Sequence, residues 1–235
     1  MRTQEKHATR FRSIQTSLLF VIVPAVIISM AVLSLMGYLS SKAIIQTSAG
    51  NEMSQCLSVA MGSIEMSLSN NRMVAETMAR GVEAVQRQAV KGEQTASDWD
   101  AAAYQEILTS FVGSNPETFG GGIWFEPYQY RPEQRYFSPY CMRQNGAVTY
   151  VDNYSLGEGV YYTDQDWYTN AANTTQKSVW SAPYYDEFAQ ISMVTSSAPI
   201  YDETGRFLGV ATADIDLTQM QQMVLSLDVV ANGRA

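Results

Sequence analysis

The chain has 235 residues, 46% hydrophobic and 16% charged, with a formal net charge of −8, enough for one ordinary domain with an extension. Its acidic balance sets nucleic acid aside as a partner. The single histidine, His7, lies in the N-terminal tail, so a Ser-His-Asp triad, a Cys-His pair and an imidazole zinc site are excluded beyond it.

Residues 1–16 form a basic tail, with Arg2, Lys6, Arg10 and Arg12 against Glu5. Residues 17–39, "SLLFVIVPAVIISMAVLSLMGYL", carry no charge. At ~1.5 Å per residue, a helix of this length crosses the ~30 Å core of a bilayer, and Pro24 is tolerated there. The rival reading is a cleaved signal peptide. The run is longer than the usual apolar region of about 7–15 residues, and "GYLSSKA" makes a poor cleavage site, so a retained membrane anchor is expected. The basic flank places the N-terminus in the cytoplasm and Ser40 onward outside. Cys56 and Cys141 then lie where a disulfide is permitted, and free thiols fit equally well.

Residues 40–90 predict a long helix of about 70 Å. Met53, Leu57, Ala60, Ile64 and Leu68 form one stripe, which stutters at "SNNR" and resumes with Val74, Met78, Val82 and Val85. Such a helix is expected to pair with a second copy of itself. "KGEQTASD" breaks the pattern, and Ser97 with Asp100 marks the start of a second helix that buries Trp99, Ala103, Ile107, Leu108 and Phe111. Strands follow in "GIWF", "YFSPYCM" and "AVTYV", the last two joined by a tight turn at Asn145-Gly146. After a short helix in "DQDWYTNAA" come strands in "VWSAPYY", "ISMVTSSAPIY" and "RFLGVATADIDL", and a closing helix in "TQMQQMV". The fold class is therefore α+β, a long helix packed on an antiparallel sheet.

Alternation in the last strand puts Gly209, Ala211, Ala213, Ile215 and Leu217 on the helix-packing face, and Asp214 on the other. In "WSAPYYD" it groups Trp180, Tyr184 and Asp186, provided that Pro183 leaves the strand extended. Acids and aromatic rings from two strands would then converge on one concave surface. Trp124 and Phe125 read as sheet core, Asp216 as a solvated strand end, and Asp202 and Glu203 as turn residues.

"DQDWYTNA", "WSAPYYD", "PIYDETGRFLGV" and "ATADIDL", in that order, resemble the double-Cache extracellular sensor domains of bacterial receptors. That family includes chemotaxis transducers, histidine kinases, diguanylate cyclases and phosphatases. The resemblance implies a PAS-like membrane-distal ligand-binding module over residues 91–224. "LDVVANGRA" is similar to the opening of a membrane-proximal module, here begun over 225–235. In amino-acid-sensing members an R-x-W-Y segment holds the ligand carboxylate, while a Y-x-D and a later aspartate hold its ammonium group. Trp167 and Tyr168 match the W-Y, Tyr184 and Asp186 the Y-x-D, and Asp214 the later acid. Gln165 stands at the arginine position; Tyr161 and Tyr162 are both candidates for a further family tyrosine.

These residues imply a small-molecule ligand, an amine or amino acid, and no cofactor. Two carboxylates among aromatic faces complement a small cation, each cation–π contact offering ~0.5–2 kcal/mol. The same acids leave other classes open, namely a membrane-anchored carboxylate-dependent hydrolase and an adhesive ectodomain. N-terminal sequencing of the membrane-embedded protein is expected to return the uncleaved start. A start near Ala43 would identify a removed leader.

Overall fold

The computed structural model describes residues 14–91, 101–151, 154 and 159–226, and in it the apolar run and the long helix expected after it form one continuous element. Helix α1 runs Ile14–Lys91 with Pro24 inside it. The basic tail, the proposed start of the second helix with Trp99, and "LDVVANGRA" lie outside the described residues.

The chain divides into two compact units, Met1–Leu57 and Ser58–Ala235. In the first, α1 is long and apolar enough to cross a membrane. Leu18, Phe20, Ile27, Leu33 and Leu39 are all exposed there, as are Met53 and Leu57 of the helical stripe.

In the second unit, α1 and helix α2 (Ala101–Ser114) cover one face of a seven-stranded sheet. Its strands are β1 Gly120–Phe125, β2 Tyr140–Gln144, β3 Ala147–Val151, β4 Val179–Trp180, β5 Tyr184–Asp186, β6 Ile191–Tyr201 and β7 Phe207–Asp216. They pair antiparallel in the order β3-β2-β1-β7-β6-β4, with β5 also on β6. Helix α3 (Asp166–Ala172) follows a 3₁₀ turn at Tyr162–Asp164, and α4 (Leu217–Ser226) follows β7. Asn145 and Gly146 both take positive φ, 50° and 82°, the geometry of the expected tight hairpin.

The sheet has two dissimilar faces. Small and aliphatic residues, Ala198, Ala211, Ala213 and Ile123, meet Val74, Ala75, Met78, Ala79 and Val82 of α1 and Leu108 and Val112 of α2. Small side chains let helix and sheet approach closely, and Ala211 and Ala213 of β7 lie on the helix side as the alternation implies, whereas Leu217, expected on the same strand face, instead opens helix α4. The other face is aromatic, with Trp124, Tyr140, Tyr154, Trp167 and Tyr168 packed together.

Two expectations change. "VWSAPYYD" is not one strand: β4 ends at Trp180 and β5 starts at Tyr184, with residues 181–183 between them. Trp180 pairs with Ser196, whose other neighbour is Ala213, so it lies on the helix face, away from Tyr184 and Asp186. Pro183 therefore does not leave the strand extended. Asp216 is also not solvated. It is 7% exposed and its Oδ1 accepts the Thr218 and Gln219 amides, capping the start of α4.

The stutter at "SNNR" has a structural role. Asn71 is fully buried; its Nδ2 donates to the Ser67 carbonyl at 3.0 Å, and its Oδ1 accepts the buried Thr118 hydroxyl at 2.8 Å. The polar break in the helical stripe thus pins α1 to the segment entering β1. Asn71→Ala strands the Thr118 hydroxyl and is expected to cost about 1–3 kcal/mol, lowering the melting temperature. Adding Thr118→Val should recover part of the loss; strictly additive losses would show that the two side chains act independently.

Candidate functional site

On the aromatic face, β7 presents Asp214 between Gly120 of β1 and Thr195 of β6, its cross-strand partners. Thr195 donates to Asp214 Oδ1 at 2.7 Å. Tyr140, one strand further away on β2, donates to Oδ2 at 2.6 Å. It reaches across β1 because that strand has no side chain at Gly120, where a β-carbon would run into the Tyr140 hydroxyl. Asp214 is 3% exposed and Asp186, at the end of β5, 6%. Asp186 Oδ1 accepts the Tyr154 hydroxyl at 2.5 Å and the Ala189 amide at 2.7 Å, so the same oxygen braces the turn to β6.

These acids share one cavity with Trp124, Tyr140, Tyr154, Trp167, Tyr184, Met193, Thr195 and Thr212. Its volume is about 10 Å³, room for one water-sized group. No lysine, arginine or histidine is among the lining residues. Trp124 lies 4.8 Å from Trp167 and 5.4 Å from Tyr154, centroid to centroid, and its Nε1 donates to the Thr212 hydroxyl at 2.8 Å. The tryptophans, tyrosines and methionine supply π faces and a soft thioether, and the acids supply charge.

Burial pushes the Asp214 carboxyl up to about 7, even though the Tyr140 and Thr195 hydrogen bonds pull it down; the Asp186 charge pushes it further up. Tyr140 and Tyr184 rise well above the ordinary phenol range, first through burial and then through the Asp214 charge. Tyr154 rises as well, through burial and its bond to Asp186. These hydroxyls are donors throughout the physiological range.

Of the residues marked in the sequence, the structure brings together Asp214, Asp186, Tyr184 and Trp167. Tyr168, on the same short helix as Trp167, turns away: its hydroxyl donates to Glu126 at 2.8 Å, and its ring meets Phe207. Gln165 caps α3 through its backbone, while its side-chain amide lies 3.4 Å from the Tyr161 carbonyl, away from the cavity lining. Tyr162 donates to the Phe125 carbonyl, and Tyr161 stacks on Tyr136; neither lines the cavity. Phe125 belongs to the helix-side core, whereas Trp124 is both buried in the sheet and part of the cavity wall.

Tyr140, Tyr154, Thr195, Thr212 and Met193 complete the site without having been singled out from sequence. For Tyr140 a signal existed: the Asn145-Gly146 turn fixes the β2–β3 register and hence the alternation of β2. Cys56 and Cys141 are free thiols. Among the described residues, no group of three or more His, Cys, Asp or Glu side chains is arranged to hold a metal ion.

Known proteins share this architecture. Residues 104–222 match the family described as methyl-accepting chemotaxis protein-like, first PDC sensor domain. Methyl-accepting chemotaxis protein McpC of Bacillus subtilis (strain 168) is 39% identical over 62 residues, which is 26% of this chain and 9% of that protein. The sensory domain of the Campylobacter jejuni chemoreceptor Tlp3 superposes with a TM-score of 0.56 at 16% identity, covering 79% of this chain and 67% of that one. The extracellular domain of mmHK1S-Z3 gives 0.54 at 23% identity, covering 70% of this chain and 57% of that one. At these identities the structural likeness shows the fold. The family match, spanning half of the chain and both acids of the cavity, shows the membership: the chain belongs to the methyl-accepting chemotaxis protein-like sensors and contains their first PDC sensor domain.

Proposed function

We propose that the chain is the extracellular ligand-sensing region of a bacterial transmembrane chemoreceptor, and that its ligand presents a small ammonium group to Asp186 and Asp214. One observation carries the reading: two buried carboxylates share an aromatic cavity whose lining contains no basic side chain. A buried charge is stable only when paired, and a ligand cation is the partner this lining lacks. Cation–π contacts with the surrounding rings would add ~0.5–2 kcal/mol each. The cavity as it stands takes an ammonium head. A larger ligand requires the wall to move, and β5 is the piece most easily displaced, being three residues long and paired only to β6.

The Tlp3 domain has been crystallised with L-valine and with isoleucine, both of which carry an ammonium group. What separates an amine from an amino acid is the carboxylate. Here the lining offers it no cation, and Gln165 stands where the family arginine would be. We therefore assign amines as the preferred class. Residues 17–39 serve as the span, with the N-terminus in the cytoplasm; residues 40–90 form the external helix and 91–224 the binding module, with a second module opening over 225–235. The exposed stripe at Met53 and Leu57 supports pairing with a second copy through α1. The family and the Bacillus relative favour a chemotaxis output over a kinase, cyclase or phosphatase.

Calorimetry on the chain in nanodiscs, comparing isobutylamine with L-valine, tests the assignment, since the two differ only by the carboxylate. Isobutylamine is expected to bind more tightly. Asp214→Ala and Asp186→Ala should each weaken it ~10²–10³-fold, because one acid is then left to hold a buried cation. Gln165 lies outside the lining of the closed cavity, so Gln165→Arg should improve valine and weaken the amine only where the wall movement that admits a larger ligand brings position 165 to it. Tighter valine binding to the wild type would show that another group receives the carboxylate. Unchanged affinity in both aspartate variants would remove the acids from the site.

A further inference from the structure

Two ionised carboxylates with no cation nearby are costly to bury, and the structure offers a second way to relieve that cost. We propose that Asp214 carries a proton when no cationic ligand is bound and that the ligand expels it, so that the domain reads ligand concentration against external pH. The inference rests on the reading of the cavity as an ammonium site.

The groups facing Asp214 leave the proton few places to go. The lining elements contribute Tyr140 from β2, Tyr154 from the segment before the 3₁₀ turn, and Tyr184 and Asp186 from β5 as titratable groups. The remaining lining side chains do not titrate, and none is basic. The three phenols stay protonated at every physiological pH. A proton taken up near neutrality therefore goes to a carboxyl, and Asp214, pushed up to about 7 by its burial, is the one that accepts it.

The hydrogen bonds accommodate both states. With Asp214 ionised, Tyr184 donates to Thr195 Oγ1 at 2.8 Å and Thr195 donates to Asp214 at 2.7 Å. With Asp214 protonated, the chain can run in reverse. Its carboxyl then donates to Thr195, Thr195 donates to Tyr184, and the Tyr184 hydroxyl turns to Met193 Sδ, 3.2 Å away. Every hydroxyl keeps a partner in both directions. Thr195 is thus a positioning residue whose rotor follows the charge on Asp214. The exchange balances: one ammonium enters, one proton leaves for solvent, and the net charge of the site is unchanged.

The direction follows from linkage. Below about pH 7, binding must first remove the proton, so the apparent affinity falls about tenfold per pH unit as pH falls, and it is constant well above. In the ligand-free protein the folded pKa lies above the ordinary carboxylate value. The folded state therefore binds more protons between the two, and stability falls as pH rises from about 4 to about 7.

Two measurements on the full chain in nanodiscs test this. The first is calorimetry with isobutylamine, which stays protonated throughout, in buffers of different ionisation heat. About one proton should be released at pH 6 and none at pH 8.5. Thr195→Val removes a donor to the charged carboxylate and should move the midpoint of this release upward. Binding without proton release and with pH-independent affinity overturns the proposal. The second measurement needs no ligand: the melting temperature of the wild type, relative to Asp214→Asn, should fall between pH 4.5 and 7.5, and a flat difference overturns the proposal. If isobutylamine binds at no pH, the amine assignment fails while the melting comparison still decides the proton.

Discussion

Asp214 sits in the middle of the sheet with a different kind of neighbour on each side, and the site depends on that asymmetry. Toward β6 it meets a hydroxyl, Thr195, which donates to one carboxylate oxygen. Toward β1 it meets Gly120, whose missing side chain lets Tyr140 lean over from the next strand and donate to the other. The acid is held by two neutral donors and by no cation. Such a group is oriented and partly stabilised, but whenever it is ionised its charge is left unbalanced. A binding site for a positive ligand needs that condition, and a stable protein interior ordinarily avoids it.

The rest of the module makes the arrangement affordable. The helix side of the sheet supplies the apolar core, with α1 and α2 packed on alanines and aliphatics. The aromatic side can therefore carry polar groups without being the main source of stability. The tyrosines serve twice, as apolar bulk packed ring against ring and as donors at their tips. Asn71 shows the same division within one helix: a single buried polar contact fixes where α1 crosses the start of the sheet, and apolar residues supply the area.

Much of this was legible in the sequence. The membrane-length helix, the antiparallel sheet and the placement of Asp214 opposite Ala211 and Ala213 follow from period, punctuation and alternation. Asp186 and Tyr184 followed from the family resemblance, and their meeting with Asp214 needed only the pairing of neighbouring strands. The grouping of Trp180 with them failed because residues 181–183 break the strand, so alternation does not carry across. Thr195 was hidden for a subtler reason. Counting back from the "DETG" turn pairs Tyr201 with Phe207, which would set Thr195 opposite Ala213. The register shifts by one residue between Ile200 and Tyr201, and that shift brings Thr195 to Asp214. A bulge of this kind leaves little trace in hydrophobic patterning. Tyr154 lies in no strand or helix, so no periodicity could point to it.

Asp186 has a consequence for how the module can communicate. One of its oxygens holds both Tyr154 and the backbone of the turn at residues 187–190, and that turn carries Phe188, 43% exposed and in ring contact with Tyr154. A charge drawn toward Asp186 from inside weakens its grip on the Ala189 amide, because electron density shared with a cation is shared less with other donors. On the proposed reading of the cavity, the turn is an outward-facing indicator of what the interior holds. The Ala189 amide is a natural probe for hydrogen exchange, and Phe188 is a surface ring in contact with Tyr154, which shares the same carboxylate oxygen. The end of β5 thereby links the cavity to the solvent-facing surface through two hydrogen bonds on one oxygen and one ring contact.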